Sequence, residues 1–317
     1  MSELRNDLVT GRPVLLAPGR SARPYTVAST PPDPNALAKC PFCPGHEHET
    51  PPEVARRGPG APDTPGWRIR VFPNLYPIVG GDHPGPGGAG AHEVVAFHPD
   101  HTVGLGGLAD PEVVELFRVL RERAAVHAAA DLAYVQVLVN QGRAAGASIA
   151  HPHAQLLAVD FVPPGVIESV HRFEAARTDV VLADADAALA QGGRIETSSD
   201  EGTLIWCPWA GATPYETRIT TRDAGPLFEH APSHALDAVA LATRRAVGAL
   251  ESLLGDVPYN VMVHNGPARG DHPFHWYVTV VPRISTIAGF ELGTGVFVNT
   301  VAPTDAAEQL RAAWPVP

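Results

Sequence analysis

The chain is poor in sulfur and in rings: three Cys and two Met among 317 residues, with Phe, Trp and Tyr together at 7%. Three thiols cannot make the even-numbered framework of a disulfide-stapled secreted fold. Two of them, Cys40 and Cys43, stand in a C-x-x-C pair that is more natural in a reducing compartment. Positive charge is also scarce. With 23 basic residues against 34 acidic ones, a net of −11, the sequence carries no nucleic-acid footprint and no polybasic membrane patch. No apolar run approaches membrane-spanning length, and the first dozen residues lack the apolar centre of a secretory leader. These absences, with a hydrophobic content of 44% that supports a real core, lead to the expectation of a cytoplasmic, globular enzyme of small molecules.

What is plentiful is proline and glycine, 33 and 30 residues. Residues 31–66 hold too many breakers for regular structure, so something else must order them. Residues 80–92 read as a loop entering a strand over 93–98. Asp110, Pro111 and Glu112 supply an N-cap, a proline at the first helical position and an acidic first turn, and helical spacing continues to about Ala130. Strands are expected over 134–140 and 154–162. The second half repeats the plan, with an extended segment over 208–220, a helix capped by Ser233 and ending near Gly255, and two more strands. Residues 259–266 resemble 135–142, and 274–282 resemble 155–163. The expected fold is α+β, with duplicated strand, helix, strand, strand units forming one antiparallel sheet flanked by helices; the connection looks helical near 166–177 and 184–191.

The segment from Asn140 to Gln155, NQGRAAGASIAHPHAQ, is a Gly-rich turn that delivers two histidines and a glutamine to one strand. A neutral imidazole attacks phosphorus well, and a phosphoramidate splits a displacement between two anionic phosphates into two steps. That needs one ring nitrogen free and the other held as a donor. His153 is the candidate nucleophile, and Gln155, on the same face, can donate to the phosphoryl oxygens without adding a base. Ser148 and the backbone N–H groups of Gly146, Ala147 and Ser148 can form an anion-binding turn, with Asn140 holding that turn or touching a ribose. The competing reading, an incidental H-x-H pair or a second metal site, loses weight when the whole motif is present. Cys40 and Cys43 suit tetrahedral zinc, and His101 and His151 are the choices for the third and fourth ligands of a closed, structural site. A redox role for C-x-x-C lacks its βαβ context. His46, His48, His83, His92 and His98 are alternative ligands or plain loop histidines, and Cys207 is expected to be a small buried residue.

The Asn140–Gln155 motif, CPFCPG at 40–45, PDH at 99–101, FHWYVTVVPR at 274–283, IAGFELGTG at 287–295 and the opening TGRPVLLAPGRSARP at 10–24 together resemble the galactose-1-phosphate uridylyltransferase family, in the histidine triad superfamily. The resemblance implies a catalytic histidine-triad-like half with the zinc site over 1–175 and a second such half over 176–317. His153 would carry the nucleotidyl group and Gln155 would stabilise its oxygens. Cys40, Cys43, His101 and His151 match the zinc ligands, with iron as the other candidate ion. Arg20 and Arg23 match arginines near the phosphates, and Asn74 matches a nucleotide contact, although Pro73-Asn74 also suits a turn. Phe290 and Glu291 match residues that reach the other subunit's ligand, which implies a homodimer. Some members hold a second metal between a glutamate and three histidines; here His264 and His275 remain, Tyr277 replaces the third, and Ser169 beside Glu168 takes the glutamate's place, so occupancy of that site is not expected. His272 could compensate, but as a loop histidine it is expected to face solvent.

The activity so implied is a ping-pong exchange of a nucleoside monophosphate between a nucleotide sugar and a sugar 1-phosphate, with UDP-glucose and galactose 1-phosphate as the default pair. Pro152 between the histidines favours this uridylyltransferase. The alternative is a phosphorylase of the same superfamily that uses inorganic phosphate and ADP-glucose. A hydrolase fits less well, because Gln155 cannot protonate a leaving amine. A non-catalytic nucleotide-binding protein is the reading from another class.

Overall fold

Alternation along residues 153–159 sets the two sides of the molecule. Ala154, Leu156 and Ala158 are fully buried in the main hydrophobic core, whereas His153 and Gln155 point to the opposite face of the sheet. The structure is a computed structural model, and it describes residues 2–20, 39–81, 85, 87–195 and 202–315. Arg23 and His83 lie outside the described residues.

In chain order the elements are β1 (Glu3–Asn6), β2 (Pro13–Leu16), β3 (Ala55–Arg57), β4 (Ile69–Pro73), β5 (Gly90–Ala96), α1 (Asp110–Ala129), β6 (Tyr134–Gln141), β7 (His153–Val159), α2 (Pro164–Ala176), α3 (Val180–Ala190), β8 (Thr203–Trp206), β9 (Thr217–Thr221), α4 (Ser233–Leu254), β10 (Tyr259–His264), β11 (Tyr277–Pro282), α5 (Gly289–Thr294), β12 (Phe297–Asn299) and α6 (Pro303–Ala312). Nine strands form one antiparallel sheet in the order β3-β4-β5-β7-β6-β10-β11-β9-β8. Helices α1 and α4 cover one face, burying Leu116, Leu120, Leu236, Val239 and Leu250 against it. Burial of each such side chain contributes about 1.5–3 kcal/mol relative to exposure, which holds a sheet assembled from distant segments.

Apart from the edge strand β3, the strand order is symmetric about the β6–β10 seam, four strands on each side, and the α+β fold with duplicated units in an antiparallel sheet is what the sequence led us to expect. The register sharpens it. Leu138 pairs with Met262, the residue the repeat equates with it, so a pseudo-two-fold axis passes between them. Leu138 also pairs with Gln155, and Met262 with Thr279. Gln155 is therefore equivalent to Thr279, His153 to Tyr277 and His151 to His275. The expected match of 274–282 to 155–163 is out of step by five residues, because β11 is buried along its whole length on both faces and so carries no alternation that would fix its offset. The extended segment over 208–220 also resolves differently: residues 208–216 are turn-rich and only 217–220 lie in a strand, β9.

Helix starts differ by a residue from expectation. The cap of α1 is Ala109, whose N–H donates to the Glu112 carboxylate at 2.7 Å, and Asp110 is already helical. Pro232 precedes α4, and the Ser233 hydroxyl accepts from Arg121 at 3.3 Å rather than capping.

A small sheet, β1-β2-β12, joins the start of the chain to its end. It is tied to the large sheet by Arg218 of β9, which is buried and bonds Asp7, Asp184 and Glu216 together. Asp184 also accepts from the Trp206 indole at 2.8 Å. Arg218 stands over the Tyr277 ring, and Tyr277 stacks on His264 with centroids 4.3 Å apart. The second half thus fills its counterpart of the His153 position with an ion cluster and a stacked pair.

Two predictions follow from this cluster. Arg218→Met leaves buried carboxylates without their cation and should cost roughly 3–5 kcal/mol in urea denaturation. Burial, then the Arg218 charge, lowers the His264 pKa from 6.5 to about 3. A folded pKa below the unfolded one gives stability that is present above pH 6.5 and lost as pH falls toward the folded value. His264→Gln should therefore lose about 2 kcal/mol less stability than the parent between pH 7 and pH 5, at ~1.4 kcal/mol per pH unit below 6.5.

Candidate active site and metal centre

The C-x-x-C loop folds on itself before it meets anything else. The Cys43 N–H donates to Cys40 O at 3.2 Å, and the His46 ring lies 2.6 Å from the same carbonyl. Glu47, buried, accepts from the Trp67 indole and from the Gly45 N–H, each at 2.9 Å. This supplies the order that the breaker-rich segment lacks, over the part of it that is described.

Cys40, Cys43, His101 and His151 place one ligand atom each within 4.8 Å of one another, the one such group among the described residues. Cys43 Sγ is 3.4 Å from His101 Nδ1 and 3.5 Å from His151 Nδ1. A tetrahedral ion with bonds of ~2.3 Å to sulfur and ~2.0–2.1 Å to nitrogen spans such pairs at about 3.5 Å. The electrostatics point the same way. Burial and the neighbouring Cys40 push the Cys43 thiol up to about 12, so adjacent thiolates need a cation. Burial lowers both imidazoles, His151 to about 4, which keeps them neutral and able to ligate. The His151 ring presents Nδ1 to the thiolate and donates Nε2–H to the His98 carbonyl at 2.8 Å, as a metal-bound histidine does.

His153 begins β7, two residues on. Its Nδ1–H donates to the His151 carbonyl at 2.8 Å, which leaves Nε2 unprotonated with its lone pair available. Burial lowers its pKa, so the ring is neutral. Phe42, between the two cysteines, packs edge-on against the ring at 5.3 Å. On the next strand His92, also buried, lies 2.9 Å from Gln155 Oε1.

The turn before the strand needs its glycines. Gly142 has φ 80°, and a Cβ there would meet Pro258 at 3.0 Å; Gly146 closes the turn at φ 94°. The expected anion nest is only partly available. The N–H groups of Gly146 and Ala147 donate within the turn, to Arg143 O at 3.0 Å and Gly142 O at 3.2 Å, because the 3-10 conformation directs them inward. That leaves exposed Ser148 as the donor of the three. Asn140 holds the turn through Asn260 of the second half, whose amide donates to Asn140 Oδ1 at 2.7 Å and to Ala145 O at 2.8 Å.

The remaining expectations are placed as follows. Asn74 makes a turn, accepting the Tyr76 N–H at 2.9 Å, and its amide nitrogen is 3.2 Å from His92 Nε2. Arg20 is exposed at the end of a short 3-10 turn, and no described contact brings it to His153 or Gln155. Glu291 caps α5 by accepting the Ala288 N–H at 3.0 Å, and Phe290 is 50% exposed. Around the second-metal expectation, His275 pairs with Asp179 at 2.7 Å, the Ser169 hydroxyl bonds Gly165 O inside α2, and Glu168 pairs with Arg172. His92 is a correction: it is a buried member of the site, not a plain loop histidine. Sequence reasoning also missed Phe42, Glu47 and Asn260.

Residues 84–163 match the model of the galactose-1-phosphate uridyl transferase N-terminal domain, and residues 235–314 match a domain of unknown function. An ADP-glucose phosphorylase of Arabidopsis thaliana is 33% identical, over 98% of this chain and 92% of that protein. A galactose-1-phosphate uridylyltransferase of Thermotoga maritima is 25% identical, over 98% of each. The solved structure of an Arabidopsis thaliana ADP-glucose phosphorylase with bound ADP-glucose superposes with a TM-score of 0.83 at 30% identity, covering 98% of this chain and 99% of that one.

If the four-residue group anchors the site, elemental analysis should find about one metal ion per chain. Cys43→Ser should lose it and lower Tm by at least about 5 °C, at the 2–4 °C per kcal/mol expected for a chain of this size class.

Proposed function

The chain belongs to the galactose-1-phosphate uridylyltransferase family, in the histidine triad superfamily, and we propose that it transfers AMP from ADP-glucose to inorganic phosphate through a nucleotidylated His153. The observation that carries the reaction type is the His153 tautomer, held by His151 O with Nε2 free beside Gln155. In the first step Nε2 attacks the α-phosphorus, the bond from phosphorus to the bridging oxygen breaks, and glucose 1-phosphate leaves. In the second, phosphate oxygen attacks, the P–N bond breaks and ADP leaves. Gln155 donates to the non-bridging oxygens in both. Ser148 and the turn at Gly146 and Ala147, held by Asn140, border the phosphates; Arg20 and Arg23 supply cations, and Asn74 contacts the nucleotide. The ion held by Cys40, Cys43, His101 and His151 is zinc in a structural role. The chain acts as a homodimer in which Phe290 and Glu291 reach the partner's ligand, a reading supported by the exposure of Phe290 and of Leu292 at 77%.

The choice of donor and acceptor rests on the 33% identity to a named ADP-glucose phosphorylase across nearly the whole of both chains. This favours the alternative over the uridylyltransferase first expected. Uridylyl transfer from UDP-glucose to galactose 1-phosphate remains the second reading, since Pro152 favours it. Both make the same intermediate.

Rapid denaturant quench with ADP-glucose or UDP-glucose, followed by peptide mass spectrometry, should find the nucleotidyl group on His153, and His153→Ala should abolish turnover. Retained activity in that variant would sink the mechanism. ADP-glucose with phosphate should turn over faster than UDP-glucose with galactose 1-phosphate; the reverse order selects the second reading. Binding of nucleotide sugars with no adduct and no exchange would mean a non-catalytic protein.

A further inference from the structure

His92 is a buried titratable group that the reaction above leaves unused. It lies on β5, beside the motif strand, with Nε2 at 2.9 Å from Gln155 Oε1. We propose that His92 is a positioning residue: as the Nε2–H tautomer it donates to Gln155 Oε1 and so turns the Gln155 N–H groups toward the transferring phosphoryl group. This deepens the proposed function and rests on it.

Ile78 decides the tautomer. Its backbone N–H, which can only donate, points at His92 Nδ1 from 3.3 Å, so that nitrogen is unprotonated and the ring's proton is on Nε2. Burial lowers the His92 pKa, which keeps the ring at a single proton. A carboxamide has one accepting and one donating end. With its oxygen committed to His92, Gln155 presents only donors to the other side. In the opposite tautomer Gln155 would turn its nitrogen to the ring and set its oxygen lone pairs against anionic phosphoryl oxygens. Asn74 marks that alternative: its Oδ1 is taken by the Tyr76 N–H, and its amide nitrogen, 3.2 Å from Nε2, would be a donor to the ring only there. The loop from Asn74 to Ile78 therefore sets the direction of a side chain on a different strand.

Two measurements test this. Long-range 15N–1H correlation of the imidazoles in the full-length, substrate-free protein should give His92 as the Nε2–H tautomer at neutral pH; an Nδ1–H tautomer overturns the proposal whatever the substrate. In single-turnover quench with ADP-glucose, His92→Phe should slow nucleotidylation of His153 by about 10–100-fold, and His92→Gln, which keeps a donor, should recover part of it. In a Gln155→Ala background the same His92→Phe change should cost no more than about twofold, since its only client is gone. Equal losses in both backgrounds, or no loss in either, overturn the proposal. If the parent protein forms no adduct with any donor, the proposed function fails instead, and the tautomer measurement still decides the pairing of His92 with Gln155.

Discussion

One hydrogen bond, from His153 Nδ1–H to the His151 carbonyl, ties the chemistry to the scaffold. Alone it is weak, worth about 0.5–1.5 kcal/mol net, too little to fix a ring against thermal motion. It suffices because its acceptor hardly moves. The His151 side chain is held between the Cys43 sulfur on one side and the His98 carbonyl on the other, so the backbone carbonyl is fixed at the same point. A structural ion held by Cys40, Cys43, His101 and His151 would contribute upwards of about 10 kcal/mol to such a site, far more than the bond it would support. The Phe42 ring, carried by the same C-x-x-C loop, closes one flank of the His153 ring. A segment a hundred residues away in sequence thus sets the direction of one lone pair.

The second half uses the same backbone for a different end. Where the first half has His153, pseudo-symmetry puts Tyr277; where it has Val94 opposite Gln155, it puts Arg218 opposite Thr279. A buried guanidinium is tolerable only with partners, and Arg218 gathers Asp7, Asp184 and Glu216. Burial raises Asp184 and Glu216, while Arg218 and the Thr10 groups help hold Asp7 low against the same burial, so Asp7 and Arg218 form the firmest ion pair of the cluster. That pair fastens the small terminal sheet to the large one. The place that holds His153 in one half holds a strut in the other.

Much of this was legible in sequence because it is local or periodic. The C-x-x-C pair, the H-P-H-A-Q strand and the Gly-rich turn fix residue types at fixed offsets, and the four-ligand group assembled as those offsets suggested. What escaped was what only register can supply. His92 reads as one histidine among several until β5 is laid beside β7, which brings it to Gln155. Asn260 matters because the seam sets it against Asn140. Phe42 looks like spacing between cysteines, and the backbone donors at Gly146 and Ala147 look free until the turn folds inward. The slipped match of the second strand pair has the same origin, since a strand buried on both faces carries no alternation to mark its offset.

The overall charge of −11 sets a last constraint. In the proposed reaction both substrates are anions, so a charged base beside the phosphorus would only add repulsion and invite water. The site avoids one. His153 attacks as a neutral ring, and Gln155 cannot take a proton. His92 has a lone pair, but Nδ1 faces the Ile78 N–H, so it is spent on the backbone. In the proposed reaction, water arriving at the phosphoramidate would meet, in His153, Gln155 and His92, donors for the phosphoryl oxygens and no lone pair left to take its proton, whereas a phosphate dianion needs none. On the proposed mechanism, the arrangement that would make His153 a good nucleophile also favours transfer to an anionic acceptor over hydrolysis, and it would do so through the tautomer of a residue that never touches phosphorus.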